Sequence, residues 1–270
     1  MKIGFHIPRI EHSTEKSVEA IAERAAPFKM TCMQIFAVGP QNHKVVLTAE
    51  DETYLRDKCV VIHGAYIDNP WNSAPGTIHN IKVEFGIAQN IGAAGVIVHL
   101  SAAANAHKHK IIDQLDVEKY AGVTLFLEIN AARASANTFE TPEKINTFFA
   151  DLKPKHIKLG LCIDTAHLYS CGVALTTADD AKRFLRELKV SGPIMFHLND
   201  SGGVLGAGKD LHESLCDGNI WKKYKHNAAS PDSGFYYILK YAKKNNHIVI
   251  LERHEGVIKD DVEVLKHVFI

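Results

Sequence analysis

The sequence predicts an α/β fold, a single (β/α)8 TIM barrel that spans residues 1–270. Three observations support this prediction. Eight short apolar runs with the length of buried strands alternate with helix-like stretches, which is typical of parallel βαβ units, and eight such units favour a closed barrel. A chain of 270 residues suits one barrel of this kind, and no linker or low-complexity segment divides it. Finally, successive strands end on histidine or acidic residues.

The strands are recognised as short apolar runs that turn breakers or polar residues terminate. The run KLGLCI at 158–163 is typical, since it carries no charge after its lysine, as expected of a strand buried on both faces. By the same criterion the predicted strands are 2–7, 31–36, 60–63, 95–99, 123–128, 158–163, 194–198 and 247–251.

The helices between these strands are predicted from apolar periodicity and from capping residues. Ser13 or Thr14 is expected to cap the first helix, and Thr141 precedes Pro142, which suits the first helical position. Long loops are expected at 69–76 and at about 199–231. The predicted helices are about 13–26, 48–58, 77–91, 106–120, 142–152, 177–189, 233–245 and 260–268.

Charge and cysteine content restrict the classes of protein to consider. Lys+Arg and Asp+Glu both total 31, so a basic footprint for coating nucleic acid is absent, although a local DNA-binding patch is compatible with this balance. The five cysteines form no CxxC pair and are odd in number, which favours free thiols in a reducing compartment. The N-terminus lacks signal-peptide character, and no apolar run is long enough to span a membrane. We therefore expect a soluble intracellular protein of the cytoplasm or nucleus, and a monomer.

Six successive strands, the third to the eighth, end on residues that ligate metals. A single histidine or acid at such a position is ordinarily a satisfied polar residue or a helix cap. In a barrel, however, the carboxyl ends of all strands meet on one face, so six in succession indicate a common site. These residues are His63, His99, Glu128, Asp164, His197 and Glu252.

Three further candidates lie in the loops that follow: His167, Asp210 and His212. Nitrogen and oxygen ligands without thiolate suit Zn²⁺, and also Mn²⁺ or Fe²⁺. With about three or four protein ligands per ion and a bridging carboxylate, the nine side chains fit two or three ions. Clustered divalent ions favour in-line displacement at phosphorus, because they stabilise both the attacking and the leaving oxygen.

The residues around these candidates form motifs that resemble the endonuclease IV family of apurinic/apyrimidinic (AP) endonucleases, within the xylose-isomerase-like TIM barrel superfamily. The resemblance covers essentially the whole chain and includes IHGAY around His63, CIDTAHLYSCG around Asp164 and His167, and HLNDS followed by DLHE. It implies three zinc ions. The first would be held by His63, His99 and Glu128, the second by Glu128, Asp164, His197 and Glu252, and the third by His167, Asp210 and His212.

The resemblance also implies an activity, which is hydrolysis of the phosphodiester 5′ to an abasic site in double-stranded DNA, leaving a 3′-hydroxyl, in base-excision repair. Glu128, Asp164 and Glu252 would act through the metal cluster. The abasic nucleotide would be flipped out of the helix, which costs little where no base is stacked. Tyr66 and Asn69 match positions of the family that contact DNA at the lesion.

The chain departs from the family in the loops that would face DNA. After the second strand, Gln41 stands where the family has an arginine, so Gln41 is a DNA-contact candidate in its place, and His43 replaces a tryptophan. The residues after His99 and Glu128 also differ, whereas all nine ligand positions are filled. The lysines considered as possible phosphate contacts are Lys108, Lys110, Lys209, Lys222, Lys223 and Lys225.

Two alternatives remain open from the residues alone. Glu128, Asp164, His197 and Glu252 would by themselves satisfy a sugar isomerase or epimerase of the same fold that uses one or two divalent ions. An inactive binder of abasic DNA or zinc is the second alternative. The additional ligands His63, His99, His167, Asp210 and His212 favour the endonuclease.

Overall fold

A closed barrel of eight parallel strands forms the centre of the molecule. The computed structural model describes residues 1–7, 17–41, 44, 46–66, 70–72, 77–135, 137–253 and 255–269. Each barrel strand pairs with its neighbours in chain order, and the first strand pairs with the last to close the ring. The predicted (β/α)8 TIM barrel is confirmed.

All eight predicted barrel strands are present, each within one residue of its predicted ends. Their side chains alternate between the barrel interior and the surrounding helices, because successive residues of a strand point to opposite faces. The barrel strands are β1 (Lys2–Ile7), β2 (Cys32–Phe36), β3 (Val60–His63), β4 (Gly95–Leu100), β5 (Thr124–Ile129), β6 (Lys158–Asp164), β7 (Ile194–His197) and β10 (Ile248–Leu251).

The longer helices follow the predicted pattern, with capping residues that explain where several of them begin. Thr48 and Thr177 form capping boxes, and Thr141 caps the helix that starts at Pro142. The predicted cap of the first helix was wrong: Ser17, not Ser13 or Thr14, accepts the amide of Ala20, and residues 8–16 lie outside the described part. These helices are α1 (Val18–Ala25), α2 (Ala49–Leu55), α3 (Thr77–Ile91), α4 (Ala104–Leu115), α5 (Pro142–Ala150), α7 (Ala178–Glu187), α8 (Gly234–Lys244) and α9 (Glu255–Phe269).

Some elements were not predicted. A short helix, α6 (Thr165–Ser170), follows β6 directly, and the expected long loop after β7 contains a hairpin of β8 (Asp200–Ser201) and β9 (His212–Glu213). Two- to six-residue elements of this kind give too little periodicity to be recognised from sequence. The short 3-10 helices are Ala26–Phe28, Pro70–Asn72, Glu118–Tyr120 and Lys222–Tyr224.

The interior of the barrel is a filled core. Phe126 is its largest member, and its ring fits between two neighbouring strands because Gly95 and Gly160 have no side chains there: a Cβ on either would lie within 3 Å of the ring. The other buried members are Cys32, Val61, Ile97, Cys162, Met195 and Ile250. No helix in the described part of the chain is both long and apolar enough to cross a membrane.

Candidate metal centre

The strand register brings the predicted ligands to one end of the barrel. His99 on β4 lies directly opposite Glu128 on β5, and Asp164 at the end of β6 lies opposite His197 at the end of β7. Partners on neighbouring strands point their side chains to the same face, so both pairs enter the same space. His63 ends β3, and Glu252 follows β10 immediately.

Glu128 lies at the centre of this group and is fully buried. Its Oε2 atom lies 3.3 Å from His63 Nε2 and 3.1 Å from His99 Nε2. Its Oε1 atom lies 3.0 Å from His197 Nδ1 and 3.3 Å from His167 Nδ1. One carboxylate therefore contacts four imidazoles, which is the arrangement expected of a bridging ligand.

Two further groupings lie beside this one. The first consists of Glu128, Asp164, His197 and Glu252, which place one ligand atom each within 4.8 Å of one another. The second is formed around His212, whose Nε2 lies 3.1 Å from Asp210 Oδ1 and 3.4 Å from Asp164 Oδ2.

The third predicted trio is also brought together. His167 Nε2 lies 3.3 Å from Asp210 Oδ2, so Asp210 contacts both His167 and His212. Asp164, His167 and His212 likewise place ligand atoms within 4.8 Å of one another, so Asp164 lies between the second grouping and this trio. All nine predicted ligands are therefore neighbours.

Main-chain carbonyls orient two of the imidazoles. His63 Nδ1 lies 2.8 Å from the carbonyl oxygen of Gly64, and His167 Nδ1 lies 2.9 Å from that of Ile129. A carbonyl only accepts hydrogen bonds, so Nδ1–H is the donor in both rings and Nε2 is left with a free lone pair. Such partners of ligating histidines fix the tautomer that presents this lone pair to a metal.

Two amide side chains that the sequence analysis did not single out hold the ligands from behind. Gln34 Oε1 lies 2.7 Å from His197 Nε2, while Gln34 Nε2 donates to Glu252 Oε1 at 2.7 Å. Asn199 Nδ2 donates to Asp164 Oδ2 at 2.7 Å, and Asn199 Oδ1 accepts the Glu252 amide at 3.1 Å. Gln34 was detectable as a polar residue inside the apolar run CMQIF, at an inward-facing position of β2.

The hydrogen bonding of the group leaves atoms that suit a cation. Glu128 Oε2, His167 Nε2 and His212 Nε2 are buried and make only ion-pair contacts, with no well-directed hydrogen bond within the described part of the chain. Buried polar atoms without good hydrogen bonds are costly, and coordination of a divalent ion would satisfy all three. The donor set, nitrogen and oxygen, fits Zn²⁺, Mn²⁺ or Fe²⁺.

The electrostatics of the group agree with this fit. Burial lowers the pKa of His167 and His212, but Asp164 and Asp210 more than offset it and raise the two pKa values to about 9 and about 11. Burial raises the pKa of Glu128, whereas the neighbouring His197 and His99 bring it well below its ordinary value. The negative potential that holds protons on these imidazoles would equally hold divalent cations, whose binding would displace the protons.

Cys162 also lies within reach of the group, because its sulfur, Glu128 and His197 place ligand atoms within 4.8 Å of one another. Burial raises the pKa of the Cys162 thiol to about 12. Cys162 belongs to the apolar core below the centre and is not among the nine predicted ligands, so we keep it outside the proposed ligand set.

The loop that carries Asp210 and His212 is held by one buried carboxylate. Asp200 Oδ1 accepts the amides of Ser201 and Ile220 at 2.8 and 2.9 Å. Asp200 Oδ2 accepts those of Cys216 and Trp221 at 3.1 and 3.3 Å. Asp200 was not predicted as a structural residue, although it belongs to the HLNDS motif.

The structure describes two of the three predicted DNA-contact residues. Tyr66 is 56% exposed, and its ring centroid lies 5.2 Å from that of His63. Gln41 is exposed, while Asn69 lies outside the described residues. Lys108 was wrongly considered for phosphate contact, because its side chain is buried and its Nζ donates to Asp151 at 2.8 Å.

We predict that Asp200→Ala will lower the free energy of unfolding by about 3 kcal/mol or more, since it leaves four amides of a buried turn without their acceptor. Amide hydrogen exchange should accelerate selectively over 201–221. The matched control is Asp217→Ala in the same loop, whose exposed carboxylate pairs with Lys225 and should change stability by less than about 1 kcal/mol. Equal effects of the two substitutions would contradict the role given to Asp200.

Comparison with known proteins places this site in a family. The family model for the xylose isomerase-like TIM barrel matches residues 22–268. A probable AP endonuclease of African swine fever virus (strain Badajoz 1971 Vero-adapted) is 34% identical over 245 residues, covering 85% of this chain and 80% of the viral protein. A probable endonuclease 4 of Nitrosopumilus maritimus (strain SCM1) is 25% identical over 289 residues, covering 98% of both chains.

Solved structures agree with the family model. The crystal structure of AsfvAP:AG superimposes with a TM-score of 0.84 at 28% identity, over 99% of this chain and 96% of that one. Endonuclease IV from Thermus thermophilus superimposes with a TM-score of 0.74 over 100% and 98% of the two chains, and at 23% identity it supports the fold alone. The chain therefore belongs to the xylose isomerase-like TIM barrel family and, within it, to the AP endonucleases of the endonuclease IV type.

Proposed function

We propose that this protein is a zinc-dependent DNA repair endonuclease that hydrolyses the phosphodiester 5′ to abasic sites in double-stranded DNA and leaves a 3′-hydroxyl. The observation that carries the proposal is the convergence of eight further candidate ligands around Glu128, including the trio His167, Asp210 and His212. Family membership supports the same activity.

In this proposal three ions share the nine ligands. His63, His99 and Glu128 hold the first ion, and Glu128 is shared with the second. Asp164, His197 and Glu252 complete the second site. His167, Asp210 and His212 hold the third. When bound, the ions would stabilise the charge that develops on the phosphate oxygens and lower the pKa of water to about 7.

The chain itself contributes rigidity and orientation. Gln34 fixes the ring of His197 and one oxygen of Glu252, and Asn199 holds Asp164 and the main chain of Glu252. Residues held in this way would bind the ions without rearranging, so the chain would need little reorganisation when the phosphate enters. The apolar layer of Val61, Ile97 and Phe126 below excludes water from the barrel side of the site.

The rim around the centre suits a macromolecular substrate. Within the described part of the chain the exposed large hydrophobic side chains are Tyr66, Val117, Val204, Leu205 and Leu211. All but Val117 lie in loops at the carboxyl ends of the strands, and Leu211 stands between Asp210 and His212. Exposed apolar groups beside a polar centre favour contact with a partner surface such as the unstacked bases at a lesion.

A sugar isomerase or epimerase remains the second candidate, since a D-tagatose 3-epimerase-like protein superimposes with a TM-score of 0.65 at 20% identity. That likeness supports the fold alone. Proton transfer on a small sugar needs one or two ions, which the grouping of Glu128, Asp164, His197 and Glu252 would provide. The trio around Asp210 has no function in that chemistry, and this observation favours the endonuclease.

The proposal is tested by incubating the zinc-loaded protein with a duplex oligonucleotide that carries one abasic-site analogue, with and without a chelator, and by identifying the product ends. We expect one chelator-sensitive cut 5′ to the lesion with a 3′-hydroxyl. Glu252→Gln, prepared in parallel, should abolish incision while keeping the fold, which excludes a contaminating nuclease. Binding of the abasic duplex without cutting would indicate an inactive binder. Absence of both binding and cutting would favour the isomerase.

A second prediction concerns metal affinity. Gln34→Ala removes the partner that fixes His197 and Glu252, so we expect zinc affinity to fall by about 10- to 100-fold, measured by competition with a chromogenic chelator. Gln89→Ala, at an exposed position of α3, is the matched control and should leave zinc affinity unchanged. Unchanged affinity in Gln34→Ala would show that the amide does not orient the ligands.

A third prediction concerns recognition of the lesion. Tyr66→Ala should weaken binding to abasic duplex by about 5- to 150-fold, the loss expected for one aromatic stacking contact, without changing zinc content. Tyr66→Phe retains the ring and should bind nearly as well as the unmodified protein. Loss of zinc in Tyr66→Ala would instead assign the residue to the support of the neighbouring His63.

A further inference from the structure

The opposite end of the barrel carries a second group of reactive side chains, Lys2, Cys32 and Cys59. They lie at or just before the starts of β1, β2 and β3, and the metal centre lies at the carboxyl ends of the strands. Met33 is opposite Val60 in the parallel pair β2–β3, and the Met33 amide donates to the Cys59 carbonyl at 2.9 Å. Cys32 and Cys59, each one residue earlier, are therefore lateral neighbours.

Both thiols face the barrel interior. Gln34, two residues after Cys32, points inward to His197, and His63, four residues after Cys59, points inward to Glu128. Side chains alternate along strands, so Cys32 and Cys59 share this face. Cys32 is a buried member of the interior core, and Cys59 packs against that core while remaining partly exposed.

The thiols and the lysine are electrostatically coupled. Cys32 and Cys59 shift each other's pKa, and the positive charge of Lys2 favours the thiolate of each. Cys59 is partly exposed at the amino-terminal end of the barrel, so small solutes can reach its thiol from solvent, whereas Cys32 is buried behind it.

This environment divides the roles of the two sulfurs. The interaction with the neighbouring Cys32 and the charge of Lys2 lower the pKa of Cys59 to about 7, against the opposing effect of burial. The interaction with Cys59 and burial raise the pKa of Cys32. Cys59 is thus the nucleophilic thiolate and Cys32 the neighbouring thiol, a combination typical of oxidation-sensitive pairs.

The other three cysteines lack this combination. Cys162, Cys171 and Cys216 are all buried, and burial raises the pKa of each thiol. The structure describes all five cysteines, and each is a free thiol. Only the pair at the base of the barrel joins partial exposure, an adjacent thiol and a cation.

We propose that Lys2, Cys32 and Cys59 form a hydroperoxide-reactive dithiol site that closes to a Cys32–Cys59 disulfide. This site is separate from the nuclease centre and does not depend on the function proposed for it. Paired residues on neighbouring strands lie about 4.7–4.9 Å apart, within the Cα separation of disulfides.

The chemistry balances in two steps. The Cys59 thiolate attacks one oxygen of the hydroperoxide, the O–O bond breaks, and the departing oxygen takes up a proton as an alcohol or water, leaving Cys59 as a sulfenic acid. The Cys32 sulfur then attacks the Cys59 sulfur, and the hydroxyl leaves with the Cys32 proton as water. The peroxide gains two electrons and the two thiols lose them. The charge of Lys2 stabilises the Cys59 thiolate, and the proton for the departing oxygen comes from solvent.

The test treats the full-length protein with hydrogen peroxide at neutral pH, alkylates the remaining thiols and digests with trypsin. Cys32 and Cys59 fall on separate tryptic peptides, 30–44 and 59–82, each with no second cysteine. We expect mass spectrometry to detect these two peptides joined, and dithiothreitol to separate them again. Oxidation spread evenly over all five cysteines, or oxidation of Cys59 without the joined peptides, would overturn the proposal.

Variants separate the contribution of each group. Lys2→Met should slow formation of the joined peptides by about tenfold or more, the effect expected when the stabilising charge is lost. Lys158→Met, at the start of β6, is the matched control and should react at the normal rate. Cys216→Ser should retain the disulfide and Cys59→Ser should lose it. Equal rates of disulfide formation in Lys2→Met and in the unmodified protein would show that the lysine has no role in the reaction.

Folding is monitored independently, so that a misfolded variant is not mistaken for an inactive one. Circular dichroism is recorded for each variant, and the rate of iodoacetamide labelling of Cys59 is compared with that of Cys216 in the unmodified protein. The proposal requires Cys59 to label at least about tenfold faster, as expected of a thiolate-forming cysteine beside a cation. Similar labelling rates of Cys59 and Cys216 in the unmodified protein would contradict the proposal.

Discussion

The buried carboxylate of Glu128 is the constraint on which the upper half of the barrel depends. It has no contact with solvent, and its two oxygens are approached by imidazoles that arise from β3, β4, β7 and α6. An isolated carboxylate at this depth would be prohibitively costly, so its partners must arrive in the right places when the chain folds. A shift of one residue in the register of any of these strands would turn a ligand outward, because the side-chain period of a strand is two. Correct pairing of the parallel strands and assembly of the cluster around Glu128 therefore depend on each other.

Much of this arrangement could be predicted from the sequence. The barrel strands were predicted within one residue because each is a nearly uncharged run, and six of the nine candidate ligands were recognised because they end such runs. The short helix α6, the β8–β9 hairpin and the cap at Ser17 were missed or misplaced, because a few residues carry no periodic signal and several serines and threonines competed for one cap. Gln34 and Asp200 were missed for a different reason. Their importance comes from partners more than fifteen residues away in the chain, and such pairing cannot be inferred from local pattern.

The two ends of the barrel have separate chemistry. The carboxyl ends of the strands gather acids and imidazoles, whereas the amino ends hold two thiols and a lysine, and the apolar layer around Phe126 fills the space between. This layer has no polar atoms in its side chains except sulfur, so it offers no path for protons or water from one end to the other. The departures from the family pattern that the sequence predicts, including Gln41, fall in the loops at the carboxyl ends, whereas six of the candidate ligands lie at the strand ends themselves.

The two carboxylate oxygens of Asp164 have different roles. Its Oδ1 atom accepts the amide of His167 and so begins helix α6, while its Oδ2 atom faces Asn199 and His212. The start of a helix and the position of a proposed ligand are thus fixed by the same carboxyl group. His167 lies on that helix, so a change at Asp164 would displace two members of the cluster at once. Asp164 and His167 are therefore mechanically coupled, and any substitution at Asp164 alters both a candidate ligand and the start of the helix that carries another.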